Sequence, residues 1–105
     1  MPAAAPNPVG DLSFDTGSLR VERGGKRITL SPTGLRILRI LMRESPRVVS
    51  REALEQELWG DLLPDSDTLR SHMYNLRREI DRPFEVKLLH TLPGIGFRLA
   101  APEDA

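Results

Sequence analysis

The chain has no cysteine, which excludes disulfide-stapled scaffolds and thiolate metal sites, and its two isolated histidines do not make a zinc site. It has no apolar run near the roughly 20 residues needed to cross a bilayer, and no signal-peptide pattern of charged start and apolar centre. The cytoplasm is the default compartment, with no membrane partner. No Ser-His-Asp set, glycine-rich phosphate loop, His/Cys cluster or paired-carboxylate motif stands out. The glycines around Pro93-Gly94-Ile95-Gly96 are too few and wrongly placed for a nucleotide fingerprint. No enzyme, cofactor or metal is therefore expected. An excess of charge is also missing: 15 Lys and Arg stand against 15 Asp and Glu, which argues against binding a polyanion by bulk attraction alone.

What is present is 105 residues, 39% hydrophobic and 29% charged, enough for one soluble domain with a modest core and too short for a second. The charges are unevenly placed. Arg70, Arg77, Arg78 and Arg82 stand close together with Glu79 and Asp81, Lys87, His90 and Arg98 follow, and acids gather between Glu52 and Asp67. One face is expected to be basic and another acidic.

Residues 1–9 begin with MPAAAPNP, rich in Pro and Ala and without an apolar period, and are read as a flexible linker remnant. The domain proper is expected over residues 10–100, with 101–105 a short tail. Leu12 to Phe14, Leu19 to Glu22 and Arg27 to Leu30, divided by Thr16-Gly17 and Gly24-Gly25, predict antiparallel strands joined by tight turns. Ser31-Pro32 then supplies a cap and a first-turn proline, and Leu35, Leu38, Leu41 and Met42 form the stripe of a first helix reaching Glu44. Gly34 occupies the place of the Glu that would complete a capping box, which weakens that start. After Pro46, Val48 and Val49 read as an apolar link. Ser50 caps a second helix carrying Ala53, Leu54, Leu58 and Trp59, and Gly60 stops it.

The third helix is the most telling stretch. From Ser66 to Arg82, Leu69, Met73, Leu76 and Ile80 recur at i, i+4, i+7 and i+11, which keeps one side on a core. The opposite side carries Ser71, Tyr74, Asn75, Arg78 and Arg82, with Arg70 and Arg77 flanking it. Asp67 suits the positive end of the helix dipole, and Asp65 or Ser66 is available as a cap. Val86 to Leu92 and Ile95 to Leu99 then flank Pro93-Gly94 as a hairpin. The sum is an α+β fold: a winged helix-turn-helix with an N-terminal antiparallel sheet, three helices and a C-terminal β-hairpin wing.

The blocks LSPTGLRILRIL, VVSREALEQELWG, DSDTLRSHMYNLRREI and LLHTLPGIGFRL, in this order from about Gly10 to Leu99, resemble the OmpR/PhoB-type winged-helix DNA-binding effector domain of bacterial two-component response regulators. Nothing in the chain resembles the phosphorylated receiver domain of that family. The resemblance implies sequence-specific binding of double-stranded promoter DNA, control by a receiver domain of the same full-length protein, and a second copy on tandem half-sites.

Carried over position by position, the resemblance places Trp59, Thr68, His72 and Arg77 at phosphate contacts, for which indole, hydroxyl, imidazole and guanidinium groups can all donate. Arg70, Ser71, Arg78 and Arg82 complete the DNA-facing set on the helix, and Thr91 and Gly94 serve it from the wing. Tyr74 and Asn75 stand where many members carry two basic residues, so the preferred site is expected to differ; Asn75 can bridge the N6 and N7 of adenine. Pro93 replaces a frequent minor-groove arginine and Phe97 a frequent tyrosine, so a wing of lesser reading power is expected, with Lys87 or Arg98 supplying charge. Phe97 alternates with Ile95 and Leu99 and is read first as core. The resemblance also makes Asp61, Leu62 and Leu63 the loop that contacts RNA polymerase. The competing reading is a winged-helix protein-interaction module that does not bind DNA directly.

Overall fold

The N-terminal strands are β1 (Leu12–Asp15), β2 (Arg20–Arg23) and β3 (Lys26–Ile28), a meander in the order β1-β2-β3 with both pairs antiparallel. The computed structural model describes residues 8–62 and 66–102, Ser66 by its backbone alone. Alternation sets which side of this sheet is buried: Leu12, Phe14, Val21 and Ile28 point into the core and their neighbours point to water. The first turn is tied by the Asp15 carboxylate, which accepts from the Gly17 amide at 2.9 Å and holds its own carboxyl below the usual range. Leu19, expected to open the second strand, stands instead at φ 58° in the turn, and that strand begins at Arg20.

Helix α1 (Pro32–Glu44) follows, its Ser31 cap accepting from the Gly34 amide at 3.1 Å. The missing Glu thus removes one half of the capping box and leaves the other half formed. Helix α2 (Arg51–Trp59) is capped by Ser50, which accepts from Ala53 at 3.0 Å, and ends at Gly60 with φ 60°. Leu54 and Leu58 are its buried residues; Ala53, expected on the same stripe, is exposed. Helix α3 (Ser66–Ile80) lays Leu69, Met73, Leu76 and Ile80 against α1, each 3% exposed or less. Its expected caps fall on Asp65 and the Ser66 side chain, outside the described residues. No described helix is long and apolar enough to cross a membrane.

The apolar link at Val48-Val49 is more than a link. Val49 and Ser50 form β4 (Val49–Ser50), which pairs antiparallel with β6 (Gly96–Leu99), itself paired with β5 (Leu89–Leu92), so the wing is a three-stranded sheet in the order β4-β6-β5. Gly96 is what allows this approach: a Cβ there would lie 2.8 Å from Ser50 Cα and closer still to the Val49 carbonyl. Ile95 belongs to the turn and is exposed, while Phe97 packs partly buried against the core as its alternation suggested.

The ends differ from the expected boundaries. Val9, assigned to the linker, is 3% exposed and bridges Leu12 through reciprocal backbone hydrogen bonds of 3.0 and 2.9 Å. Ala101, assigned to the tail, is buried close to Leu88, near Gly10. Val9 thus extends the edge of the sheet at Leu12, and Ala101 meets Gly10 at the base of the wing, contacts that no local pattern announces. The linker expectation for residues 1–7 and the tail expectation for residues 103–105 lie outside the described residues.

Candidate nucleic-acid interface

Because the stripe of α3 is used up in the core, its other side has nowhere to go but water. Arg70, Ser71, Tyr74, Asn75 and Arg78 are exposed there, and Thr68, His72 and Arg77 are half-buried along its margins. Tyr74 is 54% exposed, unusual for a large aromatic ring that a core could have taken. Ion pairs along this face are loose: Arg70 stands 3.7 Å from Asp67 and Arg78 3.3 Å from Glu79. Exposed pairs at such distances are worth well under about 1 kcal/mol, so both guanidinium groups are available to a stronger anion.

The helix stops at Ile80, short of the expected Arg82, and the reason is visible. Asp81 turns inward and is 1% exposed, accepting from Arg23 Nη1 at 2.9 Å and from the Leu88 and Leu89 amides at 3.0 and 2.9 Å. Arg82 therefore leaves the helix but returns to the same face, its guanidinium 5.8 Å from the Tyr74 ring centroid and donating to the Tyr74 hydroxyl at 3.4 Å. One consequence is electrostatic. Of the acids near this cluster of arginines, Asp81 is spent internally, so the outer face is more basic than the sequence balance suggested.

The wing meets the helix through Arg77, whose Nη2 donates to the Thr91 hydroxyl at 2.7 Å. Between them runs a groove of about 560 Å³ that Arg70 and Tyr74 border on one side and Thr91 and Pro93 on the other. Gly94 sits exposed at the wing tip with φ 74°, a left-handed conformation that leaves its backbone open to a ligand. Trp59 and His72 come together from α2 and α3, ring centroids 6.3 Å apart, and Trp59 also packs on the core. An indole can bury its rings and still offer its N–H edge.

Two expected sources of wing charge are otherwise engaged or set back. Lys87 Nζ donates to the carbonyls of Asp81 and Phe84 at 3.1 and 2.7 Å, and Arg98 is half-buried opposite His90. The loop after α2 leaves Asp61 and Leu62 exposed, Leu62 to 85%; Leu63 lies outside the described residues.

The residue that sequence reasoning missed is Arg23. It is 1% exposed at the end of β2, with its guanidinium 4.5 Å from the Phe84 ring centroid and its fork donating to Asp11, Ile80, Asp81 and Val86. A faint signal existed: Arg23 shares the inward register of its strand with Val21, where an arginine is out of place unless paired. Its partner 58 positions away could not be read from spacing.

Residues 25–99 match the family described as transcriptional regulatory protein, C terminal. The chain is 36% identical over 97 residues to the transcriptional regulatory protein CusR of Escherichia coli, covering 90% of this chain and 42% of that protein. It is 38% identical over 96 residues to TrcR of Mycobacterium tuberculosis, covering 90% of this chain and 37% of TrcR. The chain thus spans about two fifths of the curated relatives it matches. Among solved structures, the DNA-binding domain of CpxR from E. coli superposes with a TM-score of 0.78 at 30% identity, covering 97% of this chain and all of that one. Among the described residues, three helices, two antiparallel sheets and a basic helix flanked by a wing agree with those likenesses, and the chain belongs to the OmpR/PhoB-type winged-helix DNA-binding domains, the effector domains of response regulators.

Proposed function

We propose that this domain reads promoter DNA by laying α3 in the major groove while the wing follows the adjacent backbone. The observation that carries this reading is the outer face of α3, where Arg70, Arg78, Tyr74 and Asn75 are exposed together and Arg77 joins the helix to Thr91 of the wing. In this pose Trp59, Thr68, His72, Arg77 and Thr91 donate to phosphates, as does the Gly94 amide, and Arg82 adds charge beside Tyr74. Ser71, Tyr74 and Asn75 face base edges, and Asn75 selects adenine through paired contacts to N6 and N7.

The full-length protein carries a receiver domain that controls this one, and two copies occupy tandem half-sites about one helical turn apart, each raising the other's effective concentration. Asp61, Leu62 and Leu63 form the surface offered to RNA polymerase. A Leu62→Asp, Leu63→Asp protein is then expected to bind DNA normally and fail to activate transcription; normal activation would rule that role out.

The test of the central reading is selection from a random duplex pool with the purified domain, followed by titration of the winning duplex and a scrambled one at two salt concentrations. Binding that prefers the winner and weakens with salt, by about 0.9 in log K per log salt for each phosphate neutralised, is the expected result. No binding to either duplex at low salt overturns it.

A further inference from the structure

The recognition helix and the wing are separate elements joined by residues 81–88, and on the reading above both must meet one duplex at the same time. A joint of that length between two short elements would ordinarily leave their angle loose. Here it is crossed by a buried polar network with two centres. Asp81 closes the joint on itself: its Oδ1 accepts from the Leu88 amide at 3.0 Å, and its Oδ2 from the Leu89 amide at 2.9 Å, fixing the first residue of β5 against the last turn of α3. Arg23 closes it from outside. Its Nη1 donates to Asp81 Oδ1 at 2.9 Å and to the Ile80 carbonyl at the open end of α3, and its Nη2 donates to the Val86 carbonyl on the approach to the wing.

The third nitrogen, Nε, donates to Asp11 at 2.8 Å, and the ring of Phe84, itself part of the joint, covers the guanidinium plane. Arg23 therefore touches the end of the helix, the middle of the joint and the start of the wing at once, from a strand that contributes no residue to the interface. Only arginine offers a rigid fork able to hold three such acceptors together. Removing either centre would strand the other's polar atoms in a dry site, so the two centres stand or fall together.

We propose that Arg23 and Asp81 are positioning residues for DNA reading, holding α3 and the wing at one angle so that both engage the duplex together. The inference rests on the DNA reading given above. A merely structural role would lower the melting temperature and leave the folded protein binding as the parent does. A positioning role uncouples the wing from the helix, and the contacts of the wing cease to count.

The experiment compares the parent, Thr91→Val, Arg23→Lys, Asp81→Asn, and each of the last two combined with Thr91→Val, all confirmed as folded by circular dichroism and titrated with the selected duplex. Arg23→Lys keeps the charge and loses the fork; Asp81→Asn keeps the shape and loses an acceptor. Each is expected to weaken binding by about tenfold, the scale of a second contact that must be found from a poorly placed tether. Thr91→Val is expected to weaken the parent several-fold and to add less than twofold in either altered background.

Folded variants that bind like the parent, or in which Thr91→Val costs the same factor as in the parent, overturn the inference. If the parent binds no duplex, the DNA reading fails and the inference falls with it; if the parent binds and Thr91→Val leaves it unaffected, the DNA reading stands and the inference is overturned, since the wing then makes no contact for the network to position. Should Arg23→Lys and Asp81→Asn both unfold, Asp11→Ala removes only the half-exposed arm of the network. Spin labels at Glu79→Cys and Ile95→Cys, unambiguous in a chain without native cysteine, then report the angle. A distance distribution broadened by Asp11→Ala supports the inference, and an unchanged narrow one overturns it.

Discussion

Asn75 is exposed on α3 beside Tyr74, and nothing in its surroundings asks for an amide there. An exposed asparagine in mid-helix costs helix propensity relative to alanine, so a fold-only account would expect Asn75→Ala to stabilise slightly. If it reads adenine, Asn75→Ala instead removes about 1–3 kcal/mol of discrimination on the selected duplex and leaves binding to a scrambled duplex unchanged. Equal weakening on both duplexes would sink the assignment, and competition titrations decide it. Arg77 makes the complementary case. Held 2.7 Å from Thr91, it is placed for a phosphate that passes between helix and wing. Arg77→Ala is expected to weaken all duplexes alike and to lower the salt slope by about 0.9, since a phosphate contact carries charge and no sequence. A slope that stays at the parent's value would remove Arg77 from the interface.

At the scale of elements, the three helices were legible because each carries its own signals: Ser31 and Ser50 as caps, Gly60 as a stop, and the stripe Leu69, Met73, Leu76, Ile80. What escaped were features made by distant partners. Val49-Ser50 has no strand pattern of its own and becomes β4 only because β6 lies beside it. The end of α3 was overrun because Arg82 continues the outward period, while Asp81 is drawn inward by Arg23 from the far side of the chain. Among site residues the exposed set on α3 followed from helical geometry, whereas the Arg77–Thr91 and Arg82–Tyr74 contacts needed the fold. The β4–β6 approach yields its own prediction. Gly96→Ala forces a Cβ into the backbone of Val49 and Ser50, and no flexible side chain is there to yield. The expected cost is about 1–3 kcal/mol, at its upper end, seen as a fall of roughly 10 °C or more in thermal midpoint. A midpoint within 2 °C of the parent's, as roughly half a kcal/mol would give, would mean the two strands separate easily.

The whole molecule is electrically balanced, and some of its acids do structural work away from the candidate interface. Arg43 of α1 grips Glu57 of α2 with two hydrogen bonds of 2.8 Å each, and also donates to Glu44 at 3.0 Å. The hydrogen bond to Arg43 holds the Glu57 carboxyl below its usual range. Glu44 is lowered in the same way by Arg43 and then by Arg47, and the guanidinium of Arg43 is pushed further from deprotonation. Carboxyl groups with folded values below their unfolded ones stabilise the fold fully above the unfolded range, near pH 4, and lose that contribution as pH falls through the depressed folded values. Stability is thus expected to decline on acidification below about pH 4, with these groups contributing no slope between roughly pH 5 and 7. The Glu57 share is small because the pair is nearly half exposed: about 0.5 kcal/mol after solvent screening. Glu57→Gln should therefore lower the thermal midpoint at pH 7 by roughly 2–4 °C and narrow the gap to the parent as pH drops below 4. Because α1 and α2 carry this pair and α3 carries the reading face, DNA binding by the folded Glu57→Gln protein should match the parent's at pH 7. A melting series from pH 7 to pH 3 with one titration at neutral pH checks both halves, and a gap that stays constant down to pH 3 would refute the ion-pair account.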